Sequence, residues 1–191
     1  MSHNKLSEKS LDLFAAVIAV NVNLTDLYFA HNDLDNDSGM KFVANLGNLK
    51  KLRRLSLNKC KLNMNLLKRL YESISENEDM TELSLYSNEI TTEGAEYIAK
   101  IIQNKRHLKT LSLSNNRIGH EGAVHLAQNG LAELTNLNKL ALESNLICNE
   151  GLEAISVALE NNRQLREIYL YNNELNSESM EQFAKMLQNK N

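Results

Sequence analysis

The sequence predicts an α/β fold: a right-handed, curved solenoid of six 28–29-residue repeats, parallel strands on the concave side and helices on the convex side, behind an N-terminal capping helix. Three observations predict it. An apolar frame restarts at Leu24, Leu52, Met80, Leu108, Leu137 and Leu165, at intervals of 28, 28, 28, 29 and 28 residues. Within each copy the first, fourth, sixth and eleventh positions are apolar, as in Met80, Leu83, Leu85 and Ile90. All 24 such positions hold to this, which chance would give roughly once in a billion trials at this composition. Each frame is then followed by apolar residues at helical spacing; the third copy has Ala95, Ile98, Ala99, Ile101 and Ile102. A short strand, a turn and one helix cannot bury their apolar faces alone, so the copies must stack on one another.

The ninth position of the copies is Asn32, Cys60, Asn88, Asn116, Asn145 and Asn173. With the apolar frame this resembles the leucine-rich repeat, LxxLxLxxN/CxL. The repeat length and the full helix are similar to those of the ribonuclease-inhibitor subclass. The resemblance covers residues 24–191, and through one further helix nearly the whole chain. One domain is expected, with residues 1–23 as the cap and 24–191 as the solenoid.

Leu11 to Val20 is apolar and follows Lys5 and Lys9, as in a signal peptide. The repeat frame favours a different reading, which Asp12 supports. Shifted back one repeat, Leu11, Phe14, Ala15, Val17 and Ile18 fall on the inward positions of the model helix, so this segment reads as a repeat that kept its helix and lost its strand. The first repeat carries Asp33, Asp35 and Asp37, alternating like the start of a calcium loop. That loop needs glycine at its sixth position and glutamate at its twelfth; Ser38 and Ala44 stand there. The second repeat has Leu66, Leu67, Leu70 and Ile74 but no glycine at its helix start. In the fourth, His120 and His125 imitate a zinc-binding HExxH motif with one residue too many, which turns the imidazoles away from a common helix face. Gly122 there matches Gly94 and Gly151. An extra residue near Gly130 is expected to bulge the helix without shifting the next strand. The sixth repeat ends in Met180, Phe183, Ala184, Met186 and Leu187, again in frame. The last strand, Leu165 to Leu170, has no visible successor. Either a short edge with polar flanks suffices there, or a partner or second copy covers it.

Net charge is −3, which gives no electrostatic case for nucleic acid or an anionic membrane. No apolar stretch is long enough to span a bilayer. The two cysteines, Cys60 and Cys148, lie three repeats apart, about 15 Å at strand spacing and beyond disulfide reach. Both are expected as free thiols in a reducing compartment, the cytoplasm. The sequons at Asn23 and Asn36 matter only on a secretory route. There is no phosphate-binding loop, no GxSxG and no CxxC. The histidines, His3, His31, His107, His120 and His125, are scattered, with His31 placed on a strand edge. No catalytic residue, metal, cofactor or small-molecule substrate is expected, and the chain reads as a non-enzyme.

What remains is the concave face. If the frame leucines point in, the third, fifth and seventh positions point out. The third row is Asp26, Arg54, Glu82, Thr110, Lys139, Glu167; the fifth is Tyr28, Ser56, Ser84, Ser112, Ala141, Tyr169; the seventh is Ala30, Asn58, Tyr86, Ser114, Glu143, Tyr171. Four of the six tyrosines fall here, with Tyr71 and Tyr97 on helices. The small residues in the middle of the fifth row offer close approach. Tyrosine and arginine are enriched in binding hot spots, although tyrosine also suits strands for packing reasons. Tyr28, Arg54, Glu82, Tyr86, Lys139, Glu143, Arg166, Glu167, Tyr169 and Tyr171 are therefore the candidate partner-binding residues, and mixed charge suits a protein partner.

The resemblance to ribonuclease inhibitor implies a protein that inhibits or regulates a partner enzyme by covering it. A second reading, a GTPase-activating protein, comes from the similarity of Ran activators to this subclass; no particular arginine supports it. The proline-free composition also resembles that of repeat proteins which intracellular bacteria such as Legionella inject into host cells. Glu174, Glu178 and Glu181 faintly resemble their acidic translocation signals, which would put the protein in the host cytosol as an adaptor.

Overall fold

The computed structural model describes residues 6–188; His3 and the last three residues lie outside it. One six-stranded parallel sheet runs in sequence order: β1 (Asp26–Tyr28), β2 (Arg54–Ser56), β3 (Glu82–Ser84), β4 (Thr110–Ser112), β5 (Lys139–Ala141) and β6 (Glu167–Tyr169). Pairing is in repeat register throughout, Asp26 opposite Arg54 and Thr110 opposite Lys139. The helices are α1 (Glu8–Val20), α2 (Asp37–Asn45), α3 (Met64–Ile74), α4 (Thr92–Ile102), α5 (Gly119–Asn129), α6 (Cys148–Ala158) and α7 (Ser177–Gln188). The architecture is the expected solenoid.

Only three residues of each repeat are extended, because the turn closes at once. The eighth residue of every repeat, His31, Lys59, Ser87, Asn115, Ser144 and Asn172, has φ between 54° and 60°. None is glycine, so each turn holds a left-handed residue that costs of order 1 kcal/mol. His31 is thus in a turn rather than on a strand edge.

The ninth-position asparagines hold these turns. Asn88 is buried; its Nδ2 donates to Leu57 O at 2.9 Å and Leu85 O at 3.0 Å. Its Oδ1 accepts from the backbone N–H of Cys60 at 2.8 Å and of Leu62 at 3.4 Å. One amide therefore ties two repeats together. Asn116 and Asn173 repeat the pattern. Cys60 can supply only the donor half, its Sγ reaching Phe29 O at 3.3 Å. Burial pushes that thiol up to about 11. In the fourth repeat Gly119 is left-handed as well as Asn115, and its N–H donates to Asn145 O at 2.9 Å. Asn145 Oδ1 is left buried without a partner.

The frame leucines of the four middle repeats are all buried. At the ends the frame is looser: Leu24, Leu165, Ile168 and Leu175 are only half-buried. In α1, Leu11, Ala15 and Ile18 are buried, and Phe14 stacks on Phe29 and Phe42 at centroid distances of 5.4 and 5.9 Å. Val17, expected inward, is exposed because α1 has a neighbour on one side only. In α7 only Phe183 is fully buried, for the same reason; Met180 and Ala184 face solvent. The extra residue near Gly130 does not bulge a helix. α5 keeps 11 residues, as in α4, and the insertion is absorbed in a 3-10 turn at Leu131–Glu133.

Gly122 explains the glycine column at the helix starts. A Cβ there would lie 2.9 Å from Ile118 Cγ2 and 3.1 Å from Ala95 Cβ, so consecutive helices pack too closely for a side chain. The calcium-like carboxylates diverge: Asp33 pairs with Lys61, Asp35 accepts from Asn63, and Asp37 opens α2 behind the capping Asn36.

Candidate functional site

The sheet carries the three outward rows onto the concave side. The fifth row is largely covered, with Ser112 half-buried and the other small residues more so. Ser56, Ser84 and Ala141 are at most 9% exposed. Ser84 Oγ is further occupied, paired to Asn58 Oδ1 at 2.8 Å. The accessible features are the two flanking rows and the tyrosines.

The third row is largely self-paired. Arg54 Nε donates to Asp26 Oδ1, and Thr25 Oγ1 donates to Asp26 Oδ2 at 2.7 Å. The guanidinium holds the Asp26 carboxyl below the usual range, and the carboxylate raises Arg54 in return. Lys139 Nζ is 2.9 Å from Glu167 Oε2. Tyr169 Oη donates to the same Glu167 oxygen at 3.0 Å, and Lys139 also lies over the Tyr169 ring at 4.8 Å. The pair lowers Glu167 and raises Lys139. These exposed pairs fix geometry more than stability. Glu82 lies between Arg54 and Thr110 and is half-buried. Of the ten predicted residues, Arg54, Lys139, Glu167 and Tyr169 are therefore among those engaged within the chain.

The seventh row is less satisfied. Tyr86 is half-buried with Lys59 Nζ 5.7 Å from its ring centroid. Ser114 is wholly buried and its Oγ has no hydrogen-bond partner; Glu143 is half-buried and its Oε2 has none either. Tyr171 is 66% exposed. Tyr28, at the other end of the sheet, is 44% exposed.

Arg166 stands apart. It lines a shallow groove with Lys109, Asn136, Asn138 and Gln164 at the entry side of the strands. Third and seventh positions are about 13 Å apart along an extended chain, so the ten residues form two edges of one face rather than a single cluster. Sequence reasoning missed Lys109, Asn136, Asn138 and Gln164, which lie outside the three rows it followed.

A hollow of about 460 Å³ lies elsewhere, between α6 and α7 on the convex side, and Glu150, Glu153, Glu160 and Glu178 border it. Among the described residues no group of three or more His, Cys, Asp or Glu could hold a metal ion, and no helix is long and apolar enough to cross a membrane. Cys60 and Cys148 are both free.

The family model described as "Leucine Rich repeat" matches residues 20–43, 76–99 and 104–127. The chain carries leucine-rich repeats. Among solved structures it resembles the tropomodulin C-terminal domain of Caenorhabditis elegans, at 16% identity and a TM-score of 0.64, over 78% of this chain and 92% of that one. It also resembles the leiomodin-1 domain named Actin-Binding Site 2, at 15% identity and a TM-score of 0.60, over 79% of this chain and 86% of that one. At such identities the likeness is one of fold. No curated protein matches the chain.

Proposed function

We propose that this leucine-rich repeat protein holds a partner protein on its concave face and acts without catalysis, by covering or positioning that partner. The observation that carries the reading is the exposure of Tyr28, Tyr169 and Tyr171, at 44%, 38% and 66%, along a face whose backbone is locked in register. Large aromatic rings presented by a rigid sheet are efficient binding anchors, since little side-chain entropy is lost on contact. Inhibition or regulation of a partner enzyme is the mode that the resemblance to ribonuclease inhibitor suggests. The GTPase-activating reading gains no support from Arg54, which Asp26 already holds. Two free thiols suit a reducing compartment, the cytoplasm of the source organism or, for an injected effector, that of its host. The leiomodin-1 domain's name supplies actin as one defined protein to include among the candidates.

The test is affinity capture with the wild-type protein and with a folded Tyr86→Ala, Tyr169→Ala, Tyr171→Ala variant. A partner held by the first and lost by the second supports the concave face. A partner retained by both moves the interface to the helices or to the edge of β6.

A further inference from the structure

The second residue of each repeat runs as a row along the entry side of the strands: Thr25, Arg53, Thr81, Lys109, Asn138 and Arg166. The backbone fixes their order. Arg53 N–H donates to Thr25 O at 2.7 Å, Thr81 N–H to Arg53 O at 2.7 Å, Lys109 N–H to Thr81 O at 2.8 Å, Asn138 N–H to Lys109 O at 2.8 Å and Arg166 N–H to Asn138 O at 2.8 Å. The row advances one strand at a time, about 5 Å per step, so its three cations stand two strands apart. Two hollows lie along it, of about 430 and 530 Å³. Arg53 lines the first, Arg166 the second, and Lys109 and Asn136 line both. They are thus one groove that crosses the solenoid from the second repeat to the sixth.

The groove carries an excess of positive charge. Arg53, Lys109 and Arg166 are all exposed, and none forms an ion pair among the described residues. Two acids line the groove, Asp79 and Glu167, and Glu167 is already held by Lys139 and Tyr169. Three cations thus share one uncommitted carboxylate, in a chain of net charge −3. Their spacing decides what fits. Cations about 10 Å apart do not converge on one small anion. Single-stranded nucleic acid is held by stacking on aromatic rings as well as by charge, and no Phe, Tyr or Trp lines the groove. An extended peptide matches the row. Arg53 to Arg166 spans about 19 Å, the reach of about six residues, and carboxylates three residues apart fall beside successive cations.

We infer that this groove docks an extended acidic segment of the partner protein, with its carboxylates on Arg53, Lys109 and Arg166. The inference rests on the protein-binding reading above and adds a second contact, at the rim of the same face.

The probe is the capped peptide Glu-Gly-Ser-Glu-Gly-Ser-Glu, titrated at low salt into the isotopically labelled protein and followed by backbone amide shifts, beside its glutamine counterpart and a short oligo-dT. Saturable shifts around Arg53, Thr81, Lys109 and Arg166 are expected with the acidic peptide in the millimolar range, weakening as salt is raised. The glutamine peptide should give none. A groove variant, Arg53→Gln, Lys109→Gln, Arg166→Gln, with its fold checked by a melting curve, should weaken the acidic peptide about tenfold or more. A helix variant with the same change in charge, Lys68→Gln, Lys100→Gln, Lys185→Gln, should bind it as the wild type does. Unchanged binding by the groove variant, or equal weakening by the helix variant, overturns the assignment. So does oligo-dT that binds the groove more tightly than the peptide. A captured partner that the groove variant loses supports the groove. One that the groove variant retains and the tyrosine variant loses overturns the groove and leaves the concave-face reading standing.

Discussion

Lys105 is wholly buried in a solenoid otherwise filled with leucine. Its Nζ donates to Ile74 O at 2.7 Å, Asn77 O at 2.8 Å and Ser75 O at 3.4 Å. The first two of these carbonyls end or follow α3, the third is its cap, so the ammonium satisfies a helix C-terminus one repeat away. Replacing it by methionine keeps most of the stem volume and removes the donors. A hydrogen bond from a charged group is worth about 1.5–3 kcal/mol, and relief from burying the charge offsets part of the loss. Lys105→Met should therefore destabilise by about 2 kcal/mol at pH 7, or about 4–8 °C in Tm. The pH dependence is the sharper test. Burial pushes the Lys105 pKa from 10.5 down to about 8. Its folded value is thus below its unfolded value, and the folded state sheds the proton first. Stability contributed by this lysine is lowest below pH 8 and rises as pH climbs from 8 to 10.5, by up to about 3 kcal/mol. Urea melts of both proteins at intervals from pH 7 to 10.5 should show the gap widening, since all other titrations cancel in the difference. A gap that stays flat, or narrows, refutes the argument: the three carbonyls would then be holding the ammonium charged throughout.

Other predictions follow from the same contacts. Asn88→Ala strands two backbone N–H groups and two carbonyls and should cost about 3–5 kcal/mol in equilibrium unfolding. Phe14→Ala removes one ring of a three-ring stack and should lose about 3 kcal/mol, with hydrogen exchange accelerated in α1 first. Native protein should show one titratable thiol toward an aromatic disulfide reagent. That thiol is Cys148, which is partly exposed, whereas Cys60 is shut in the core with its pKa raised to about 11; unfolding should release the second. Glu143→Gln should raise the melting temperature by about 2–4 °C, since it neutralises a carboxylate oxygen that has no partner.

The repeat frame was legible because every copy obeys one alternation, and the asparagine column because its position never moves. Both are local rules, repeated. What the sequence hid depended on neighbours. Val17 and Met180 sit in frame yet face water, since burial in a solenoid needs a repeat on each side. Arg54 and Lys139 look like free binding charges one repeat at a time. Only the register shows that each faces a carboxylate on a neighbouring strand, and the alternating signs of the third row were the available clue. The small fifth-row residues suggested open floor, but Ser56, Ser84 and Ala141 are buried. Lys105 stands in the column that holds Asn77 and Asn162, which donate to Leu52 O of the same repeat and to Leu134 O of the previous one. A lysine among asparagines was visible there; that it reaches the end of α3 required the packed helices. Glu143 was legible as an outward charge, but that its Oε2 and Ser114 Oγ lack partners was not, because an unsatisfied atom is defined by what does not surround it.

The central claim is that a partner covers the concave face, and tyrosine footprinting of the captured complex tests it most directly. The chain carries its own control: Tyr28, Tyr86, Tyr169 and Tyr171 lie on the concave side, while Tyr71 and Tyr97 pair on the helical side with ring centroids 6.4 Å apart. Modification of the free and bound protein, read by mass spectrometry, should show Tyr169 and Tyr171 protected in the complex and Tyr71 and Tyr97 unchanged. Protection of Tyr71 and Tyr97 with Tyr169 and Tyr171 still reactive would place the partner on the helices and contradict the account.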